Sequence, residues 1–187
     1  MHAHNPPKLA SCRRNSGVAL FISLVLLLML TIIGVSAVQS TSLEVRMARN
    51  DHDGMLAFQA AESALRDAED QLEAIAGTAN FVDAGTNGLW TVADLGDPPR
   101  WDDQTIWDAD ATSVLAATDV AGVAVRPRYI IEYVASVVRA ENAYQLDDPY
   151  GQSASDRIEV FRVTARGIGG SPQSRVMLQS TYGRILN

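Results

Sequence analysis

Side chains that could act as nucleophiles, bases or metal ligands are few in this chain, and most lie near its amino terminus. The 187 residues include three histidines and one cysteine. His2, His4 and Cys12 precede the first long apolar segment, and His52 is the one histidine that follows it. A Ser-His-Asp triad, a Cys-His pair or a zinc site of the usual His/Cys type needs such groups gathered in one folded region. We therefore predict no catalytic residues, no metal and no cofactor.

Carboxylates are more abundant, but their spacing does not fit a known site. His52 lies between Asp51 and Asp53, and consecutive positions on a helix point in different directions, so these three cannot converge on one ion. A weak calcium-loop signal comes from four neighbouring aspartates: Asp102, Asp103, Asp108 and Asp110. They lack the Asp-x-Asp-x-Asp-Gly spacing and the later glutamate of such a loop. The sequence therefore argues against an enzyme.

The charge balance is acidic, and no disulfide can form within the chain. Aspartates and glutamates number 22 against 15 lysines and arginines, which gives a formal net charge of −7. Proteins that bind nucleic acid carry a clustered basic face, so we predict no nucleic-acid partner. Because Cys12 is the only cysteine, packing alone must stabilise any folded domain.

A long apolar segment near the amino terminus is the strongest signal in the sequence. Residues 18–38 contain no charged side chain. About 20 apolar residues in a helix cross the ~30 Å hydrocarbon core of a bilayer, so this segment is long enough to span a membrane. Lys8, Arg13 and Arg14 precede it without any acidic residue. The one-sided positive flank predicts a cytoplasmic amino terminus and an external remainder.

Three interpretations of this segment differ in what happens at its two ends. A cleaved secretory signal has an apolar core of about 7–15 residues, which is shorter than this one. A plain signal anchor remains open. The third interpretation is a short basic leader that ends at Gly17 and is followed by an apolar segment that the protein keeps.

The helix is predicted to continue beyond the membrane segment. Residues 39–76 contain no proline, and Gly77 is expected to end the helix. Six apolar side chains repeat every seven residues on one face: Phe58, Leu65, Leu72, Ala61, Ala68 and Ile75. We favour packing of this face on the protein's own sheet over a separate coiled coil.

The middle of the chain, residues 81–128, is expected to be largely irregular. It carries several glycines and prolines, with short strand or helix pieces predicted at residues 89–92 and 111–117. It also holds all three tryptophans, Trp90, Trp101 and Trp107. They are either a carbohydrate or surface-binding platform, or caps over the edge of a small core, and we favour the caps.

Strand patterns dominate the carboxyl-terminal third. Residues 129–138, 158–166 and 175–182 are rich in β-branched and aromatic side chains. In the second strand, apolar residues at 161, 163 and 165 alternate with Arg162, Thr164 and Arg166. This alternation predicts one buried face and one solvent-exposed face. Glycines in residues 167–172 suit a hairpin turn. The predicted fold is α+β, with the second half of the long helix packed on a small antiparallel sheet.

Four sequence blocks resemble one family. They are Gly17-Val-Ala-Leu-Phe, Gly34-Val-Ser-Ala, Leu43-Glu-Val-Arg-Met-Ala and Leu56-Ala-Phe-Gln-Ala-Ala-Glu-Ser-Ala-Leu-Arg66. Together they resemble the amino-terminal module of PilX-type minor pilins, within the type IV pilin and pseudopilin superfamily. Residues 163–167 and 178–182 resemble the last strands of the same group.

The resemblance implies a pilin fold and a division of the chain into three parts. Residues 1–17 would be a cleaved prepilin leader, 18–53 a transmembrane or filament-core helix half, and 54–187 a periplasmic or extracellular domain. It implies that a prepilin peptidase cuts between Gly17 and Val18 and that the new amine at Val18 is methylated. It also assigns filament-core packing to four residues, Leu20, Phe21, Ile22 and Leu24.

Two positions depart from the family pattern. Most pilins begin with phenylalanine and carry glutamate at the fifth mature position, whereas this chain has Val18 and Ile22. In the family, the glutamate is thought to meet the terminal amine of the subunit ahead. A subunit at the tip has no neighbour ahead of it, so Ile22 fits a first position in the filament better than a repeating one.

The resemblance implies a minor pilin of a bacterial type IV pilus, in the tip or priming complex that starts assembly and supports adhesion or motility. Its partners would be a prepilin peptidase, the major pilin and other minor pilins, with a large tip adhesin as a further one. The protein would wait in the inner membrane and later be extracellular. A type II secretion pseudopilin, or an anchored binding domain that never polymerises, remains an alternative.

Overall fold

The computed structural model describes residues 16–138 and 157–186, which form two compact units divided between Ala48 and Arg49. The helices are α1, Ser16–Ala74, and α2, Gln104–Asp108. The strands are β1, Leu89–Thr91; β2, Val114–Leu115; β3, Arg128–Val138; β4, Arg157–Ile168; and β5, Arg175–Arg184. Short 3₁₀ helices occupy Thr86–Gly88 and Arg100–Asp102. The α+β fold class is confirmed, with a pilin-like layout.

The sheet is mixed. Its strand order is β1-β3-β4-β5, and β2 pairs with β3. The three long strands, β3, β4 and β5, are antiparallel to one another, as predicted, and their bounds fall within two residues of the predicted ones. The short β1 instead runs parallel to β3, with Leu89 opposite Ile131. A three-residue strand carries no periodicity that could reveal its direction, so the sequence predicted a purely antiparallel sheet.

The second half of α1 packs on one side of the sheet, here called the helix side. On α1, the buried residues are mostly alanines: Ala57, Ala60, Ala61, Ala64, Ala68 and Leu72. On the sheet, the buried partners include Ile131, Phe161, Val163 and Ala165. The prediction is confirmed for Ala61, Ala68 and Leu72. It is wrong for Phe58, which is 47% exposed, because the face that reaches the sheet is the narrow one lined by alanines.

Gly167 sets the distance between helix and sheet. A β-carbon added there would overlap the carbonyl oxygen of Ala57 and the backbone nitrogen of Ala61. The predicted turn at residues 167–172 is wrong at its start, because β4 continues through Ile168. Gly167 is therefore a strand residue that allows the helix to approach.

A Gly167→Val variant is expected to destabilise the domain by about 3 kcal/mol, since overpacking a close contact forces backbone shifts. Chemical denaturation of the full chain in lipid nanodiscs, followed by tryptophan fluorescence, measures this. Gly54→Ala is the matched control. A β-carbon at Gly54 meets nothing within 4 Å, so that helical variant should gain up to about 1 kcal/mol. Equal stability of the two variants would contradict the close contact.

The carboxyl end of α1 is closed by an arginine from the far end of the chain. The helix ends at Ala74, earlier than the predicted end at residue 76. Arg184 donates hydrogen bonds to the carbonyl oxygens of Leu72 and Ile75. A cation that satisfies the last carbonyls replaces the glycine cap expected at Gly77.

Polar contacts from side chains of α1 also tie the helix to the rest of the second unit. Thr118 donates from its backbone nitrogen and hydroxyl to Asp67, both at 2.9 Å. The Ser171 backbone nitrogen donates to Asp53 at 3.0 Å. The Tyr129 hydroxyl donates to Gln71 Oε1 at 2.8 Å. Burial, and secondly the charge of Asp67, raises the pKa of Tyr129 to about 12. This tyrosine is therefore neutral over the physiological range.

The opposite side of the sheet, here called the outer face, is covered by the tryptophan-rich region. Trp90, Ile106 and Trp107 pack with Ile130 in a second core, and Trp101 lies against them. The core-cap interpretation is therefore confirmed for Trp90 and Trp107. The prediction that this face of β4 is exposed to solvent is wrong at Thr164 and Arg166, which are only 2% and 5% exposed. Residues 100–113 fold across these two side chains and bury them.

Candidate functional site

The described part of the first unit, residues 16–48, is an exposed helix that is apolar over residues 18–38. Gly17 and Val18 lie in the first turn of α1, and the next two turns carry Leu20, Phe21, Ile22 and Leu24. Their side chains are between 53% and 71% exposed. Successive residues of a helix are rotated by about 100°, so Leu20, Phe21 and Leu24 lie on one side of the helix and Ile22 lies on the other. The structure therefore does not bring the four predicted filament-core residues into one stripe.

Apolar side chains project in all directions from this helix. It is long and apolar enough to cross a membrane, and its most apolar window is not buried within the protein. A helix that is apolar all round needs an apolar environment on every side. Lipid, or a ring of neighbouring helices, provides one.

Two hydroxyl groups of the apolar segment bond to the helix itself. Ser23 Oγ donates to the Leu20 carbonyl at 2.8 Å, and Thr31 Oγ1 donates to the Leu28 carbonyl at 2.7 Å. An unsatisfied polar group in hydrocarbon costs several kcal/mol. These two hydroxyls therefore avoid that cost, whether the helix lies in lipid or among other helices.

Three of the four aspartates that gave the weak calcium signal, Asp103, Asp108 and Asp110, have other partners. Asp103 accepts from the Thr105 hydroxyl and backbone nitrogen, which caps α2 and lowers the pKa of Asp103. Asp110 pairs with Arg128. Asp108 lies 3.9 Å from the Arg166 guanidinium. Within residues 16–138 and 157–186, no group of three histidine, cysteine or acidic side chains is placed to hold a metal ion.

A buried ion pair crosses the outer face of the sheet. Glu132 is completely buried. Arg162 donates two hydrogen bonds to the Glu132 carboxylate, from Nε to Oε2 and from Nη2 to Oε1, both at 2.9 Å. These bonds raise the pKa of Arg162. The two residues are direct cross-strand partners on β3 and β4. Sequence reasoning missed the pair, since it becomes visible only once the strand register is known.

A second arginine anchors the tryptophan-rich region. The Arg166 guanidinium lies 5.1 Å from the ring centre of Trp107 and donates to the Trp107 carbonyl at 3.2 Å. Burial lowers the pKa of Arg166. The arrangement combines a cation–π contact with a backbone hydrogen bond. Its chemistry is that of structural attachment rather than proton transfer.

A cleft of about 420 Å³ is lined by Gln71, Asn87, Asp110, Ser113, Val114 and Leu115. Asp110 is its one titratable lining residue and is already paired with Arg128. The lining therefore offers hydrogen-bonding groups without a paired nucleophile and base.

Two family models match the chain, one on each side of the junction between α1 and the rest of the domain. The PilX N-terminal model matches residues 16–66. The model described as type IV pilus assembly protein PilX C-term matches residues 82–184, more than half of the chain. The chain belongs to the PilX family of type IV pilus assembly proteins. No curated protein and no solved structure matches it.

The two PilX matches cover the apolar amino-terminal helix and the sheet with its tryptophan-rich region. The amino-terminal match begins one residue before Gly17 and includes Val18 and the exposed apolar turns that follow. The carboxyl-terminal match begins at Val82 and ends at Arg184, so it contains all five strands and the three tryptophans. The predicted resemblance is therefore confirmed over most of the chain, including the middle region that carried no recognisable motif.

Proposed function

We propose that this PilX-family chain is a minor pilin that joins a priming complex, starts pilus assembly and then sits at the pilus tip. The observation that carries the proposal is the exposed apolar helix of the first unit, in a chain whose family assembles type IV pili. Such a helix is stable in lipid before assembly and among other pilin helices afterwards. The domain outside the membrane contributes the outer surface of the filament.

Processing comes first in this proposal. A prepilin peptidase cuts between Gly17 and Val18 on the cytoplasmic side, and the amine of Val18 is then methylated. The cut removes Lys8, Arg13 and Arg14 with the leader. These cations hold the amino terminus in the cytoplasm before the cut. Their removal frees the helix to leave the bilayer without carrying charge into a filament.

Transfer from lipid to filament then depends on packing. Lipid chains are as apolar as leucine, so helix association gains little from the hydrophobic effect and relies on close contact and polar interactions. A pilin with glutamate at its fifth position gains attraction to the amine of the subunit ahead. This chain has Ile22 there, which suits the first subunit, and a tip position also places its domain next to other minor pilins and a large adhesin.

An Ile22→Glu variant tests this position. We expect it to leave the number of pili unchanged or to lower it, because a tip subunit has no amine ahead to offset the several kcal/mol cost of a carboxylate in lipid. Pili are counted by electron microscopy in a strain whose only copy is the variant, with Ile22→Leu as the matched control. More pili with glutamate than with leucine would contradict the tip assignment.

Deletion of the native copy separates the proposed role from its alternatives. A priming subunit predicts few or no surface pili on deletion, with trace amounts of the chain in sheared wild-type filaments. Loss of secreted enzymes with normal pili would assign the chain to a secretion system instead. A chain that stays in the membrane fraction, with both pili and secretion intact, would be an anchored receptor.

A further inference from the structure

Strand β5 forms a long edge of the sheet. It has ten residues, against the five or six of an average strand, and pairs with β4 in continuous register from Arg175 to Arg184. Within the described residues, it has no strand on its other side. An edge of this length presents a row of backbone donors and acceptors that another strand can use.

The centre of β5 lacks the features that usually block edge pairing. Natural edge strands are protected by charged side chains, prolines, bulges or very short length. Residues 176–183 contain no charge and no proline, and the pairing of β5 with β4 shows no bulge. The two charged residues of the strand, Arg175 and Arg184, stand at its ends. In the part of the chain that the structure describes, the edge is therefore open in the middle and cationic at both ends.

Apolar surface borders this edge on both faces of the sheet. On the outer face, a cleft of about 180 Å³ is lined by Trp101, Thr164, Met177, Leu178 and Gln179, and Met177 is 37% exposed. On the helix side, Tyr182 packs half-buried against the core. Side chains of an added strand alternate between the two faces, so both of its faces would meet apolar groups.

We propose that the β5 edge binds an extended segment of a different protein, apolar in its middle and acidic toward its ends. Arg175 donates to Gln104 at 2.8 Å, and Arg184 donates to carbonyl oxygens at the end of α1. Neither guanidinium forms an ion pair within the described residues. Carboxylates at both ends of an added strand would complement the two charges.

A second copy of this chain fits the edge less well. Two β5 strands paired antiparallel would bring the Arg175 end of one copy beside the Arg184 end of the other, at both ends of the pair. Like charges across neighbouring strands are destabilising. The proposal goes beyond the minor-pilin role, because it holds for any position of this chain in a filament or membrane.

The test uses the full chain in lipid nanodiscs and a fluorescent peptide of about ten residues, the length of β5, with alternating valine and threonine and a glutamate at each end. We expect saturable binding by fluorescence anisotropy. A peptide with lysine at each end should bind about tenfold more weakly, and salt should reduce that difference. Amides of β5 should gain protection from hydrogen exchange when the glutamate peptide is bound.

Variants of the chain locate the binding. Met177→Lys places a charge in the cleft and should weaken binding about tenfold, and Gln179→Lys is a second variant at the same edge. Leu95→Lys is the matched control, since it removes a fully exposed apolar side chain elsewhere and should change nothing. Absent binding, or binding equal for both peptides and unaffected by Met177→Lys, overturns the proposal. Dimerisation of the chain that Met177→Lys abolishes also overturns it, because a second copy would then be the occupant.

Discussion

A Gly17→Phe variant is expected to remain in the membrane at full length and to support no pilus assembly. The wild-type chain should lose 17 of the 187 residues of its 20.2 kDa, about 1.8 kDa, and the variant should lose none. The reason is that the proposed peptidase cuts after a glycine, where a large side chain blocks access. An uncut chain also keeps Lys8, Arg13 and Arg14, and burying unpaired charges in a filament core is costly.

The matched control for this variant is Gly34→Phe. Both glycines lie in the part of α1 that belongs to the first unit, and a β-carbon at either meets nothing within 4 Å. The same substitution at residue 34 should therefore leave processing intact, as read by immunoblot and intact mass. A Gly17→Phe chain that is shortened as in the wild type would show that the junction is not the processing site.

An Arg162→Met variant is expected to lose about 3 kcal/mol of stability, because it leaves Glu132 buried without its counter-ion. Glu132 has no exposed surface, so its carboxylate depends on Arg162 for its counter-ion. The double variant Glu132→Leu/Arg162→Met should recover most of the loss, since an apolar pair of similar size removes the buried charge altogether. Chemical denaturation of the full chain in nanodiscs, followed by tryptophan fluorescence, compares both variants with the wild type.

The exposed pair of Glu62 and Arg66 is the control for the buried pair. Its nearest nitrogen–oxygen distance is 3.6 Å, and the Arg66 side chain is 78% exposed. Arg66→Met should cost less than about 1 kcal/mol, as is usual for surface ion pairs. Equal losses for Arg66→Met and Arg162→Met, or a double variant as unstable as Arg162→Met, would contradict the assignment of a structural role to the buried pair.

Much of the fold follows from local sequence signals. The uncharged run of residues 18–38 predicts a membrane-length helix, and the β-branched runs predict β3, β4 and β5 with small errors at their ends. These elements are long and strongly patterned, so their type depends little on what packs against them. The alternation in β4 likewise identifies Phe161, Val163 and Ala165 as core residues.

The predictions that failed depend on contacts between distant parts of the chain. Phe58 fits the heptad pattern, yet the contact of α1 with Gly167 selects the alanine face instead. The alternation of apolar and polar residues in β4 predicts that Arg166 is exposed to solvent, but the segment around Trp107 covers it. Arg184 ends α1 from the last strand. None of these contacts leaves a periodic signal at the residues that make them.

The candidate site divides in the same way. Gly17, Val18 and the apolar turns after them could be found from the leader and its resemblance to PilX-type pilins, and the structure places them at the exposed start of α1. Their cleavage and packing depend on other proteins, so these roles stay proposals. The β5 edge could not be found from sequence, because which strand ends a sheet is a property of the whole topology.

Amino-terminal sequencing of the native protein, taken from membranes and from sheared pili, tests the central claim most directly. That claim is that the apolar helix is trimmed at its cytoplasmic end and then kept. The account predicts a chain that begins at Val18 with a methylated amine in both fractions. A native chain that begins at Met1, or one that begins beyond residue 38 and so lacks the helix, would contradict it.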